Sequence, residues 1–234
     1  GKALFSGPQP GEKIPSFRVT GMFGDLAGKT IDPVSLAAGK PQVLIFMDES
    51  RVGLRGLFGV SSAVSQIAKE SDKGLQFSVV LLGDDPAGLS GFIKRFGDRL
   101  QDSGVVLTMS PDGRDGPGAL GLNRTISMTV VVARDGKVLH NFVFPQSMLY
   151  PNPHVLGAIA AAIGEKPETV ARWLNTPDKT GQADSKSPRR TREGQGTAGR
   201  PSREELLKRF DKNGDGKLSE EEGRAARKAL QRKK

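Results

Sequence analysis

Gln42-Val43-Leu44-Ile45-Phe46-Met47, introduced by Lys40-Pro41, decides how the chain folds. After Gln42 the run is apolar without a break, whereas a strand with one face in water alternates apolar and polar residues. The run therefore reads as a strand buried on both faces, the environment at the centre of a parallel sheet. Gln76 to Leu82 repeats the pattern, and Val105 to Met109 is a third candidate. Between these runs the spacing changes to that of helices. Leu57, Val60, Val64, Ile67 and Ala68 mark one helix over Leu57 to Lys69, and Leu89, Phe92, Ile93, Phe96 and Leu100 mark the next. Alternating strand and helix implies parallel strands joined by crossovers.

Outward from this centre, Gly1 to Gly11 has the Pro/Gly content of an extended arm, and Ile14 to Val19 alternates like a strand entering the fold. Thr30 to Gly39 reads as a connection with a helical turn at Val34 to Ala38. Ile126 to Ala133 and Lys137 to Phe144 flank Arg134-Asp135-Gly136, where Asp-Gly between two apolar runs signals a hairpin. Val155 to Ile163 is an apolar helix, and Glu168 to Leu174 a short amphipathic one. The expected architecture is α/β: a central mixed sheet with helices on both faces.

Three motifs add a resemblance. Gly11-Glu12-Lys13-Ile14-Pro15-Ser16-Phe17 resembles the Gly-x-x-x-Pro-x-Phe opening of the redoxin, or peroxiredoxin-related, form of the thioredoxin-like fold. Pro41-Gln42-Val43-Leu44-Ile45-Phe46 is similar to the strand before that group's active loop, and Ala133-Arg134-Asp135-Gly136-Lys137-Val138 to its late hairpin. The likeness spans roughly Gly11 to Gly164. It implies a reactive cysteine after the strand ending at Met47, but the chain there reads Asp48-Glu49-Ser50-Arg51-Val52-Gly53. It also implies a facing cis-proline, where alignment on the hairpin places Ser127. Both parts of the redox apparatus are missing, so the resemblance carries the fold without its chemistry.

Composition agrees. The 234 residues contain no cysteine, which excludes disulfides, thiolate nucleophiles and Cys-based zinc sites. Hydrophobic residues make up 36% and charged residues 26%, as expected for a globular part diluted by a polar one. No run of about eighteen apolar residues suggests a transmembrane helix. The net charge of +9 is unevenly spread: from Asn175 onward 17 Lys and Arg face 10 Asp and Glu, against 18 facing 16 before it. The chain opens at Gly1 rather than Met, which fits removal of a secretory signal, and so a secreted or periplasmic destination, as well as a cut of any other kind.

The one stretch that spells out a chemistry is Asp211-Lys212-Asn213-Gly214-Asp215-Gly216-Lys217-Leu218-Ser219-Glu220-Glu221-Glu222. A twelve-residue calcium loop needs oxygen donors at positions 1, 3, 5, 7, 9 and 12, here Asp211, Asn213, Asp215, Lys217 through its carbonyl, Ser219 directly or through water, and Glu222 with both carboxylate oxygens. Gly216 stands where the turn leaves no room for a Cβ. This resembles the EF-hand family at every metal-bearing position. The competing reading is a solvated Asp/Gly turn. Pro201-Ser202-Arg203-Glu204-Glu205 carries a capping box, and Leu206, Leu207 and Phe210 give the entering helix an apolar face. After Glu222 the exiting side offers mostly alanine, and no second loop follows. The unit would pair across a homodimer, dock on the body of the protein, or stay half-ordered.

Other candidates are weaker. Asp48 and Glu49 end one strand and Asp84 and Asp85 another, with Arg51 and Arg55 nearby, at the strand ends where α/β sheets place ligand sites. The favoured reading is that they are loop carboxylates capping helix N-termini. His140 and His154 lack metal-ligand spacing. Ser61, Ser62 and Ser65 lie along a helix without a nucleophile elbow. Asn123-Arg124-Thr125 matches a glycosylation acceptor. Asn175 to Arg200 is too polar to bury a core and reads as a linker. Its Pro188-Arg189-Arg190-Thr191-Arg192 cluster and the closing Gln231-Arg232-Lys233-Lys234 would attract a polyanion by counterion release, though no aromatic is interleaved for stacking.

The expected organisation is a thioredoxin-like domain without redox cysteines over 1–174, a flexible basic linker over 175–200 and a single all-α EF-hand over 201–234. The expected function is Ca2+ binding with a non-catalytic binding or scaffold role. Two alternatives stand beside it: a redoxin-derived enzyme using the carboxylates at 48, 49, 84 and 85, and an interaction protein gripping an anionic partner through its basic tail.

Overall fold

The structure is a computed structural model that describes residues 4–49, 51–101, 103–146 and 151–175. Its elements run β1 Val19–Gly21, β2 Thr30–Ile31, α1 Pro33–Ala37, β3 Gln42–Asp48, α2 Arg51–Glu70, β4 Gln76–Leu82, α3 Pro86–Gln101, β5 Val106–Met109, β6 Met128–Arg134, β7 Lys137–Phe144, α4 Pro153–Ile163 and α5 Pro167–Asn175. The seven strands form one sheet in the order β2-β1-β5-β4-β3-β6-β7. β5, β4 and β3 are parallel neighbours, and β6 runs antiparallel to β3 and β7.

The apolar run at Gln42 does what its composition requires. Every residue of β3 is buried, with β4 on one side and β6 on the other, and the two pairings align Ile45 with Val79 and Val130. A βαβ unit (β3-α2-β4) beside an antiparallel ββα unit (β6-β7-α4), with β3 and β6 adjacent at the centre, is the core topology of the thioredoxin-like fold. The hairpin between β6 and β7 closes through Asp135 and Gly136, both at positive φ (54° and 69°), as a two-residue turn of the primed kind demands.

Alternate residues of the central strands divide the core in two. Val43, Ile45, Met47, Val79, Leu81, Val130 and Val132 face α2, α3, α4 and α5. Leu44, Phe46, Val80, Leu82, Val131 and Ala133 face Ile14, Phe17, Val138 and Leu120, with Val34 of α1 at the margin. Two crossovers stepping in the same direction, from β3 to β4 to β5, leave α2 and α3 on the same face when both take the right-handed sense. The face away from the long helices is covered by the five-residue α1 and by irregular chain.

That cover required one correction to the sequence reading. Ile14 to Val19 is not a strand: β1 begins at Val19, and before it the described residues make a single bridge, Lys13 to Lys137. Pro15 has no N–H to donate to a ladder. The apolar spacing of Ile14, Phe17 and Val19 is satisfied because these residues drop into the core from extended, irregular backbone. The segment is tied down by Ile14 N–H to Gly136 O at 2.9 Å and Val138 N–H to Glu12 O at 2.9 Å. α1 is started by Asp32, whose carboxylate accepts from Val34 N–H (3.0 Å) and also from the Ser16 and Ser35 hydroxyls (2.8 Å each). Burial alone would raise the Asp32 pKa. The hydrogen bonds from Ser16, Ser35, Val34 and Phe17 outweigh it and lower the pKa below the usual 3.8.

Candidate functional site at the strand ends

The C-terminal ends of β3 and β4 bring Asp48, Glu49, Asp84 and Asp85 to one edge of the sheet, but they do four different jobs. Asp48 is the last residue of β3 and is 4% exposed. Its N–H donates to Ser127 O at 3.0 Å, and its Oδ2 accepts from Arg114 Nη2 at 3.2 Å. Glu49 is exposed, with Oε2 lying over Gly83. A Cβ there would come within 2.8 Å of that oxygen and 2.6 Å of Leu89 Cδ1, which explains the glycine at the end of β4. Asp84 accepts from Arg114 N–H at 3.0 Å and from Arg124 Nη2 at 3.2 Å. Asp85 caps α3, with Oδ1 accepting from the Ala87 and Gly88 N–H groups at 3.1 and 3.0 Å. Arg51 opens α2; the side chains of Arg51 and Arg55 lie outside the described residues.

Two arginines tie Asp48 and Asp84 together, and sequence reasoning missed one of them outright. Arg114, in the 3-10 turn Gly113–Asp115, reaches Asp48 and also donates through Nε to Arg124 O at 3.2 Å. Arg124 pairs with Asp84 and Asp115 at 3.2 and 3.3 Å. The only trace in the sequence was the charge pattern Asp112-Gly113-Arg114-Asp115-Gly116. Arg114 and Asp48 are 66 positions apart, and nothing local announces their meeting. The Arg124 pairs are open to solvent and contribute about 0–1 kcal/mol each. Asp48 is different: it is buried while its partner Arg114 is about a third exposed, so the pair is only half shielded from water.

Among the described residues, no group of three or more His, Asp or Glu side chains is arranged to hold a metal ion. The Asp211–Glu222 calcium loop lies outside the described residues. Exposed His140, in β7, stacks on Phe142 with ring centroids 6.0 Å apart, and His154 opens α4, its N–H held by Asn152 Oδ1. Ser61, Ser62 and Ser65 lie within α2, away from any strand-to-helix elbow. Asn123 Oδ1 accepts from Thr125 N–H and Oγ1, folding Asn-Arg-Thr into a tight turn. A cleft of about 230 Å³ lies at the opposite end of β4, lined by Val64, Ser65, Lys69, Phe77 and Ser103 among others. No described helix is long and apolar enough to cross a membrane.

Fold and site together define a thioredoxin-like α/β domain in a chain without cysteine. At Ser127, the position facing the strand-end loop, the backbone carbonyl binds Asp48, and no cis peptide occurs among the described residues. No family profile and no curated protein matches the sequence. Solved structures do match. An uncharacterized conserved protein from Geobacillus kaustophilus superposes with a TM-score of 0.51 at 13% identity, over 70% of this chain and 89% of that one. A putative thiol:disulfide interchange protein DsbE from Chlorobium tepidum gives 0.49 at 22% identity, over 67% and 99%. Reduced Prx3 from Vibrio vulnificus, in complex with hydrogen peroxide, gives 0.47 at 17%, over 65% and 96%. Likeness at such identities speaks to fold alone.

Proposed function

We propose that the chain is a calcium-binding protein in which a thiol-free thioredoxin-like domain serves a non-catalytic binding or scaffold role. The observation that carries this reading is the coincidence of six ligand positions and the required glycine in a single twelve-residue loop: Asp211, Asn213, Asp215, Lys217, Ser219 and Glu222 around Gly216. It is supported by the absence of cysteine and by the pairing of Asp48 and Asp84 with Arg114 and Arg124. Calcium would draw the carboxylates of Asp211, Asp215 and Glu222 into one shell, offset their mutual repulsion and fix the angle of the flanking segments. With three acidic ligands and no second loop, the expected Kd is about 10⁻⁴ to 10⁻³ M.

Calorimetric titration with calcium, at near-physiological salt with magnesium present, tests it beside a Glu222→Gln variant. The expected result is one-site binding that the variant loses. Absence of any heat or spectroscopic change up to several times the weak end of that range, about 10⁻³ M, would remove the reading.

A further inference from the structure

We propose that residues 113–116 form a latched strap over the C-terminal ends of β3 and β4, with Arg114 as its latch, and that ionic strength governs its release. The hinges are visible in the backbone. Gly113 and Gly116 bracket the turn, both at positive φ (66° and 67°), a conformation that glycine enters and leaves at little cost. The underside of the strap is packed. A Cβ on Gly113 would lie 2.9 Å from Asp84 Oδ1, and one on Gly116 would lie 2.6 Å from Leu122 Cδ1 and 3.2 Å from Leu82 Cδ2.

The fastening of Arg114 and Asp115 is mostly ionic, with one neutral bond from Arg114 Nε to Arg124 O. Arg114 N–H is held by Asp84 Oδ1, Arg114 Nη2 by Asp48 Oδ2, and Asp84 is itself held by Arg124, which also binds Asp115 within the strap. Within the turn the strap's own backbone adds one long bond, Gly116 N–H to Gly113 O at 3.3 Å. Apolar anchoring is confined to its end, where Gly116 is buried against Leu122 and Leu82; Gly113, Arg114 and Asp115 include no buried residue. What the strap covers lies at the C-terminal ends of parallel strands, where open α/β sheets receive ligands: buried Asp48, with Leu82 beside it. A segment held by charge and hinged by glycine separates from a core held by apolar packing when the charges are screened. The Debye length falls from about 10 Å at 0.1 M salt to about 3 Å at 1 M, which weakens the solvent-open pairs of Asp84 and Asp115 with Arg124 most and the Asp48 pair least, and such local openings proceed without global unfolding.

Hydrogen exchange of the full chain, read by mass spectrometry on peptides covering 112–118 and on peptides covering β3 and β4, tests the strap. In the wild type, raising sodium chloride from about 0.05 to 1 M is expected to speed exchange of the Arg114 and Gly116 amides about tenfold while the strand peptides stay unchanged. In Arg114→Gln the same amides are expected to exchange fast at both salt concentrations. Strap and strand peptides exchanging together under every condition, or a wild-type strap indifferent to salt, would overturn the proposal. If Arg114→Gln does not fold, the wild-type salt series decides alone.

Discussion

The two faces of the sheet are built on different principles. One is covered by α2, α3, α4 and α5, whose apolar residues recur at helical spacing; the other is covered by Ile14, Phe17, Leu120 and α1, mostly irregular chain held by hydrogen bonds. Helices bring their own backbone bonds with them, so they need only apolar contact to stay in place. Irregular chain must find partners for its N–H and C=O groups elsewhere. On the second face it finds them at Gly121, Gly136, Val138 and Asn141.

The largest expected difference between the faces is at the centre of β3, where Ile45 and Leu44 are both fully buried but point in opposite directions. Ile45→Ala should cost about 4 kcal/mol, because the helices above it are held on all sides and cannot close the cavity. Leu44→Ala should cost nearer 2–3 kcal/mol, because irregular cover collapses more readily. Equal losses in denaturant melts would erase the distinction. A smaller effect is expected at Ser6, whose hydroxyl meets buried Thr129 Oγ1 at 2.6 Å and accepts from Asn123 N–H at 3.1 Å. Ser6→Ala strips both partners and should cost roughly 1–2 kcal/mol, with faster hydrogen exchange at Asn123 and none at α2. The smallest effect concerns Asp32, which joins α1 to the N-terminal segment through Ser16. Its pKa is lowered on folding, so its contribution is complete above the ordinary carboxylate value of 3.8 and is lost as pH falls through the native value. Asp32→Asn retains an N-cap and should match wild type below that value while falling slightly short of it at neutral pH. Parallel stability curves across that range would show that the carboxylate's charge is immaterial.

The same contrast explains what the sequence disclosed. β4 matches its reading residue for residue, Gln76–Leu82, and the Asp-Gly hairpin falls where its turn chemistry put it, because each is fixed by a continuous run or a local conformational need. α2 begins at Arg51, six residues before the first position of its apolar spacing, since Gly53 and Gly56 give periodicity nothing to register. β2 was read as connection because two residues, Thr30 and Ile31, are too few to show an alternation. The strand-end carboxylates were legible as a group, since a strand end is recognisable from within its own segment. Their partition among Arg114, Arg124 and the α3 amides was not, because those partners come from distant segments of the chain.

The hydrogen bonds of the N-terminal segment also set an order of events during synthesis. Ser6 waits for Thr129, 123 residues later, and for Asn141, 135 residues later. At about 5–20 residues per second, the first part of the chain to emerge is among the last to be seated. For a few seconds between the completion of α3 at Gln101 and the arrival of Thr129 and Asn141, the strands β3 and β4 can gather α2 and α3 on one side while Leu44, Phe46 and Val80 on the other have no lasting cover. The nascent domain is therefore one-sided before it is closed, and that interval is when a chaperone, or a neighbouring copy of the same sheet, would meet it.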